Sequence, residues 1–387
     1  MRKQIKQFFE ADSASGITLL IFLVISLAIA NSPWAAHLES LLAHQIGIET
    51  TQVHLKYSVL QWINDGLMAI FFLMVGIEIK QELAHGQLSS AKKASLPFFA
   101  ALGGMLVPAG IYALFNVGTE TSHGWGIPMA TDIAFAIGAL SILGKRVPIA
   151  LKVFLTALAI VDDLGAILVI AIFYTTQLES TYLLYALGLF LVLMFMNRMG
   201  VKSVWFYLIP GMFIWYFIHH SGIHATIAGV LTAFAIPIKG RQKGHSPIQS
   251  VEHAISTPVN FVIMPLFALA NTNIRFESGM IEGLASPLGL GIIAGLFIGK
   301  PLGITLLSWI SVKLGLSELP QGTRWFQVLA IGLMGGIGFT MSIFIALLSF
   351  SDVYHQTEAK FAILVASALS GIIGYLILQR IGKKYIT

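Results

Sequence analysis

Asp162 and Asp163 stand side by side in Leu158-Ala159-Ile160-Val161-Asp162-Asp163-Leu164-Gly165-Ala166, a run that is otherwise apolar. Asp132 follows Gly126-Ile127-Pro128-Met129-Ala130-Thr131, and Lys300 sits in Gly299-Lys300-Pro301. Asp65 interrupts a further apolar stretch, with Glu78 and Glu82 one helical turn apart near its far end. A charged side chain at the centre of a bilayer costs at least about 2.5–3.5 kcal/mol, so each such residue is a functional candidate. Two neighbouring carboxylates in lipid are intolerable as permanent anions. One or both should hold a proton near neutral pH, and the two should titrate as a coupled set. Adjacent helix positions point about 100° apart, so one Asp can line a cavity while the other meets a second helix. Lys300 is the intramembrane cation available to pair with one of them. A purely structural salt bridge explains one Asp and Lys300, but leaves the second Asp and Asp132 without a reason.

A buried carboxylate cluster that holds either protons or a hard cation exchanges one for the other. Sodium prefers oxygen ligands and requires ionised carboxylates, so its binding expels protons and protonation expels it. If two protonatable groups serve one monovalent ion, each cycle moves net charge, at about 2.3 kcal/mol per charge per 100 mV.

These residues need an apolar scaffold to hold them. The chain has 387 residues, 56% hydrophobic and only 11% charged, against about 25% charged in soluble domains. Its solvent must be lipid. That excludes a cytosolic enzyme, a nucleic-acid binder and a disordered hub. No Cys is present, so there is no disulfide, zinc–thiolate cluster or thiol nucleophile. A spanning helix needs roughly 20 apolar residues. The sequence reads as an all-α polytopic membrane protein with about twelve spans, near 13–31, 57–84, 95–116, 123–143, 148–174, 181–199, 204–219, 222–237, 252–271, 288–311, 326–350 and 357–381. The polar gaps are short, so residues 1–387 read as one transmembrane transporter domain. Spans four and eleven look internally broken. Each has Gly or Pro, then Thr (Thr131, Thr340), then a run of small residues and Phe. Spans three to five and ten to twelve place the breaks in matching positions, as inverted-topology repeats. Paired interrupted segments point to a transporter binding site, and their half-helix ends carry opposite partial charges. Asp132 could offset the positive ends and Lys300 the negative ones, with freed carbonyls and the Thr131 hydroxyl as ligand oxygens.

Most of the 23 Lys and Arg fall on one side of these spans, which assigns both termini to the cytoplasm. Lys56 and Arg275 lie on the other side, Lys360 at a helix start. Ala28-Ile29-Ala30 fits a signal-peptidase site, but Glu10, Asp12 and the long stretch before the apolar run argue for retention. Ile46 and Ile48, then Val53, Leu55 and Tyr57, alternate with polar residues around Thr50-Thr51-Gln52, which predicts an extramembrane β-hairpin over about 46–57. It serves as a flap over the bundle or as an edge that pairs with a second copy.

Five segments together resemble the bacterial NhaA-type sodium/proton antiporters, over essentially the whole chain. They are Gly-Ile-Pro-Met-Ala-Thr-Asp-Ile-Ala-Phe-Ala at 126–136, Ala-Ile-Val-Asp-Asp-Leu-Gly-Ala at 159–166, His-Ala-Thr-Ile-Ala-Gly at 224–229, Gly-Lys-Pro-Leu-Gly at 299–303 and Gly-Ile-Gly-Phe-Thr-Met-Ser at 336–342. The resemblance implies an inner-membrane antiporter that exports Na⁺ or Li⁺ against entering protons and is activated at alkaline pH. It implies that Asp162 and Asp163 bind the ion, that Lys300 pairs with Asp162, and that Asp132, with Thr131 beside it, compensates crossed half-helices. Asp65 would lie toward the periplasmic exit and Glu78 in a cytoplasmic funnel. Glu82, His224, Glu252 and His253 would belong to a pH-responsive region. A homodimer built on the hairpin is also implied. The chain departs from the family at Gln81 and Gln249, where members carry basic residues.

Other readings weigh less. His219, His220 and His224 resemble a metal cluster, but they fall in an outer turn where no carboxylate is expected beside them. His224 suits a pH sensor and ordinary hydrogen bonding equally well. Glu82 and Glu252 read equally as solvated charges at the rim. Val-Asp-Asp-Leu-Gly lacks the setting of an intramembrane aspartyl protease, and Ala166 stands where a prenyltransferase needs a further Asp, so no enzyme and no cofactor are expected. A cation channel has no use for a buried Lys. An ion-coupled symporter of a small solute is the nearer rival, but no additional mid-membrane Arg is present to clamp an anionic solute.

Overall fold

A computed structural model of the chain describes residues 12–51, 54–175, 178–240 and 246–382. The expected hairpin tip at Gln52 and Val53, and the basic residues Arg2, Lys3, Lys6, Arg241, Lys243, Lys383 and Lys384, lie outside the described residues. The described residues are mostly helical. In chain order it comprises α1 (Asp12–Ala30), α2 (Ala35–Ala43), β1 (Gln45–Glu49), β2 (His54–Ser58) and α3 (Val59–His85). Next come α4 (Ala91–Asn116), a 3₁₀ segment (Glu120–Met129), α5 (Ile133–Leu143), α6 (Ile149–Phe173), α7 (Ser180–Arg198), α8 (Trp205–His220) and α9 (Ile227–Ala235). The chain continues through α10 (Pro247–Asn271), α11 (Met280–Gly283), α12 (Pro287–Lys313), α13 (Trp325–Gly335), α14 (Phe339–Ser349) and α15 (Val353–Gly382).

Among the described residues, nine helices are long and apolar enough to cross a membrane, or ten if α13 and α14 form one span bent by 52°. The two remaining expected spans, 204–219 and 222–237, correspond to α8 and α9, of 16 and 9 residues. At 1.5 Å per residue α9 rises only about 14 Å. Its N-terminal side is spent on a turn that carries Gly222 at φ 84°. Its C-terminal end is closed by Lys80, whose Nζ donates to the carbonyls of Phe234 (2.6 Å) and Ile236. The hairpin forms as expected: β1 and β2 pair antiparallel, from Gln45 opposite Ser58 to Glu49 opposite His54.

Contacts divide the chain into two compact units. The first comprises Met1–Ile21, Glu82–Ala166 and Ile274–Thr387. Its helices α4 and α12 cross at Gly103 and Gly303, where a Cβ on either residue would fall 2.1 Å from the other's carbonyl oxygen. Only paired glycines allow this approach, the small-residue packing that membrane helices use in place of a hydrophobic drive. Pro301 has no N–H and would crowd the carbonyl four residues back. Ahead of it, α12 widens into a π-helical stretch, Ala294–Gly299, that ends at Lys300.

The second unit comprises Phe22–Gln81 and Ile167–Asn273. Its core gathers Leu73 and Ile77 of α3, Leu193 of α7, Ile214 and Ile218 of α8, and Ala228 and Ala233 of α9. A π-helical stretch, Trp62–Leu67, opens α3 and contains Asp65.

Candidate ion site

The first unit carries two chain breaks that meet. After the 3₁₀ segment the backbone is extended at Ala130 and Asp132 before α5 begins. Between α13 and α14 it turns through Gly336, Ile337 and Gly338. The breaks are joined directly: the Asp132 N–H donates to the Ile337 carbonyl at 2.7 Å, and the Ser342 hydroxyl to the Ile127 carbonyl at 2.8 Å. The Asp132 carboxylate is buried between two helix starts. Its Oδ1 accepts from Phe135 N at 2.9 Å in α5, and its Oδ2 from Thr340 N at 3.2 Å and from the Thr340 hydroxyl in α14. One anion thus satisfies orphan N–H groups at two positive helix ends. A lost N-cap costs about 0.5–2 kcal/mol, so Asp132→Ala should lose about two such caps and melt several degrees lower in a thermal unfolding assay. An unchanged melting temperature would contradict this role.

Lys300 is fully buried. Its ammonium lies 2.8 Å from Asp162 Oδ2 and also donates to the Met129 carbonyl at the end of the 3₁₀ segment. The Thr131 hydroxyl lies 2.9 Å from Asp162 Oδ2 and 2.9 Å from the Gly335 carbonyl, the last residue of α13. It has one proton to give, so it serves one acceptor at a time. Asp162 and Asp163 are 1% and 2% exposed, side by side on α6. Oδ1 of Asp162 is buried with no hydrogen-bond partner. An unsatisfied buried carboxylate oxygen is costly, and the next residue along α6 is a second buried Asp. Hard oxygen donors with one lone-pair face open are what a dehydrated alkali cation requires. Asp162, Asp163, Thr131, Asp132 and Lys300 are therefore gathered in one unit.

The remaining sequence candidates make contacts of their own. Asp65 is in the second unit, where His219 Nδ1 stands 3.8 Å from its Oδ2 and His224 Nε2 3.5 Å from its Oδ1. This corrects the expectation that no carboxylate adjoins the histidines: α3 brings one from more than 150 residues away along the chain. Glu78 lies on α3, a turn before Glu82. Glu82 accepts from Gln87 N at 2.6 Å, a local closure beyond the helix end. Glu252 accepts from the Gln81 side chain at 2.7 Å, and His253 is exposed. So Gln81, the departure noted in the sequence, is a neutral partner of Glu252. Sequence reasoning missed Thr340, the Met129 and Gly335 carbonyls, and the contact of His219 with Asp65. Thr340 had a signal, since it holds the place in its break that Thr131 holds in the other.

Nine or ten helices long and apolar enough to cross a membrane, among the described residues, define a multi-pass membrane protein, whose first unit buries Asp162, Asp163 and Lys300. The chain matches the family described as Na+/H+ antiporter 1 over residues 6–378, and it belongs to that family. It is 58% identical over 378 residues to a Flavobacterium johnsoniae protein named Na(+)/H(+) antiporter NhaA 2, covering 97% of this chain and 92% of that protein. It is 48% identical to the Na(+)/H(+) antiporter NhaA of Vibrio campbellii, with 98% and 96% covered. To the protein of the same name from Pelagibacter ubique it is 47% identical, with 99% of each covered.

Proposed function

We propose that the protein is a secondary active antiporter that exports Na⁺, or Li⁺, in exchange for protons. The observation that carries this reading is Asp162, held on one oxygen by Lys300 and Thr131, with its other oxygen buried without a partner and Asp163 following it on α6. With both carboxylates ionised, that open oxygen, Asp163 and neighbouring neutral oxygens replace the water around an alkali ion. With protons bound, the charge that holds the ion is gone. Neither state coexists with the other, so exposure of the site to the two sides of the membrane in turn couples opposite fluxes. Two protons for one ion makes each cycle electrogenic. Asp132 and Lys300 neutralise the helix ends at the crossed breaks, which the inverted-repeat reading of spans three to five and ten to twelve explains. That reading also restores a twelve-span topology, with both termini in the cytoplasm and the chain in a bacterial inner membrane.

Asp65 and Glu78 are assigned to the ion pathway, and Glu82, His224, Glu252 and His253 to the response to pH. A homodimer through the exposed β-hairpin completes the proposal. The symporter reading is not favoured, because among the described residues Lys300 is the only buried Lys or Arg. The test is Na⁺ addition to respiring everted vesicles carrying a pH dye. Release of the proton gradient, larger at alkaline pH, supports exchange, and an unchanged gradient at every pH refutes it.

A further inference from the structure

The Asp65 carboxylate has one imidazole on each oxygen, His219 on Oδ2 and His224 on Oδ1. Separations of 3.8 and 3.5 Å exceed a hydrogen bond, yet are shorter than the roughly 4.5–5.5 Å that a bridging water spans. A small side-chain rotation closes either one. All three side chains keep 14–18% exposure, so water reaches them without solvating them fully. The surroundings hold the rings in place. His219 stacks on Trp215 (5.6 Å, 18°) and meets the Tyr57 ring edge-on at 4.8 Å. Trp215 in turn stacks on Trp62 at 5.8 Å and donates through Nε1 to the Asp65 backbone carbonyl at 3.0 Å. His224 Nδ1 is fixed by the Thr226 hydroxyl at 2.9 Å, which leaves Nε2 facing Asp65. The π-helical opening of α3 presents Asp65 to this arrangement, a distortion common at functional positions. The other titratable neighbours are Tyr57 from β2, and His220 and Tyr216 from α8.

We infer that His219, Asp65 and His224 form a proton relay, with His219 as its outer member, at the end of α8 that the charge asymmetry assigns to the periplasm. A protonated His219 gives its Nδ1 proton to Asp65 Oδ2, leaving a neutral imidazole and a carboxylic acid. Rotation about Cβ–Cγ exchanges the two oxygens, and the acid passes the proton to His224 Nε2, restoring the carboxylate and leaving an imidazolium. The reverse order returns it. Only N–H and O–H bonds change, and charge is conserved. An imidazole suits this task because each of its two ring nitrogens can either hold or accept a proton. The relay rests on the exchange reading above, since it serves the protons of that cycle.

The test uses the full-length protein in proteoliposomes, in very weak buffer near neutral pH, with radioactive sodium flux driven by a proton gradient as the readout. His219→Gln should slow the flux about a hundred-fold, the lower edge of what a positioned proton carrier contributes. A membrane-impermeant zwitterionic buffer should restore most of it, and half-saturating Na⁺ should not change. A structural defect is not repaired by buffer. His219→Asn is the second variant, and the wild-type protein supplies an independent arm: its flux should barely respond to the same buffer. Variant flux at the wild-type rate, slow flux that buffer leaves unchanged, or wild-type flux that rises with buffer as much as the variant's would each overturn the relay. A wild-type protein that carries no proton-driven sodium flux in any buffer overturns the exchange reading itself, and the relay with it.

Discussion

Asp163→Asn is expected to abolish sodium-elicited proton release at every pH. The substitution keeps the shape of the side chain and removes both its charge and its titration. Asp163 is 2% exposed beside Asp162, in a site with little water to make up the loss. Uncoupling one member of a desolvated charge set costs about 3–5 kcal/mol, and each 1.4 kcal/mol is ten-fold. Affinity for Na⁺ should therefore fall by about two to three and a half orders of magnitude. The protein should still fold, because Asn is nearly isosteric and Lys300 keeps its partner Asp162. Dye-based proton release in vesicles, with size-exclusion chromatography of the purified variant as the folding control, reads both outcomes. Substantial activity in a folded Asp163→Asn protein would remove the carboxylate pair from the centre of the account.

Lys300→Ala should have the second largest effect, on stability as well as transport. Asp162 Oδ2 would lose its ammonium and keep only the Thr131 hydroxyl, while Oδ1 stays without a partner. The Met129 carbonyl would lose its donor too. Breaking one side of a buried ion pair is destabilising by about 3–5 kcal/mol, whereas replacing both sides is often neutral. The single variant should thus melt well below wild type, and Lys300→Ala combined with Asp162→Asn should recover much of the difference. Any transport left in the single variant should shift to more alkaline pH, since an anion without its counter-cation forms only at lower proton activity. Thermal unfolding of the two variants against wild type measures the coupling. A single variant as stable as wild type would mean that the Lys300–Asp162 contact carries no weight.

The buried cluster proposed as the site was legible by residue type before the fold. Charged residues are so disfavoured in apolar helices that Asp132, Asp162, Asp163 and Lys300 announce themselves by type alone. The breaks at Thr131 and Gly336 were visible because Gly, Pro and Thr cluster there, and the hairpin because its apolar residues alternate. What was hidden is what depends on pairing between distant segments. The Asp132–Thr340 and Asp132–Ile337 bonds join positions about two hundred residues apart. No window on the sequence places Asp65 against His219, and so the histidines looked bare of carboxylates. The shortness of α9 also escaped, since hydropathy continues through turn residues that the helix does not include. The π-helical stretches before Lys300 and around Asp65 widen a helical turn, which a period count cannot register.

Competition between Na⁺ and protons for the Asp162–Asp163 pair is the central claim, and calorimetry of Na⁺ binding to the purified protein tests it most directly. Repeating the titration in buffers of different ionisation heat separates the heat of binding from that of released protons. The observed enthalpy should vary linearly with buffer ionisation heat, its slope giving one to two protons released per Na⁺ bound, and the slope should fall toward zero at high pH, where the site is already deprotonated. Sodium binding whose heat is the same in every buffer, at a pH where the exchange is active, would contradict it.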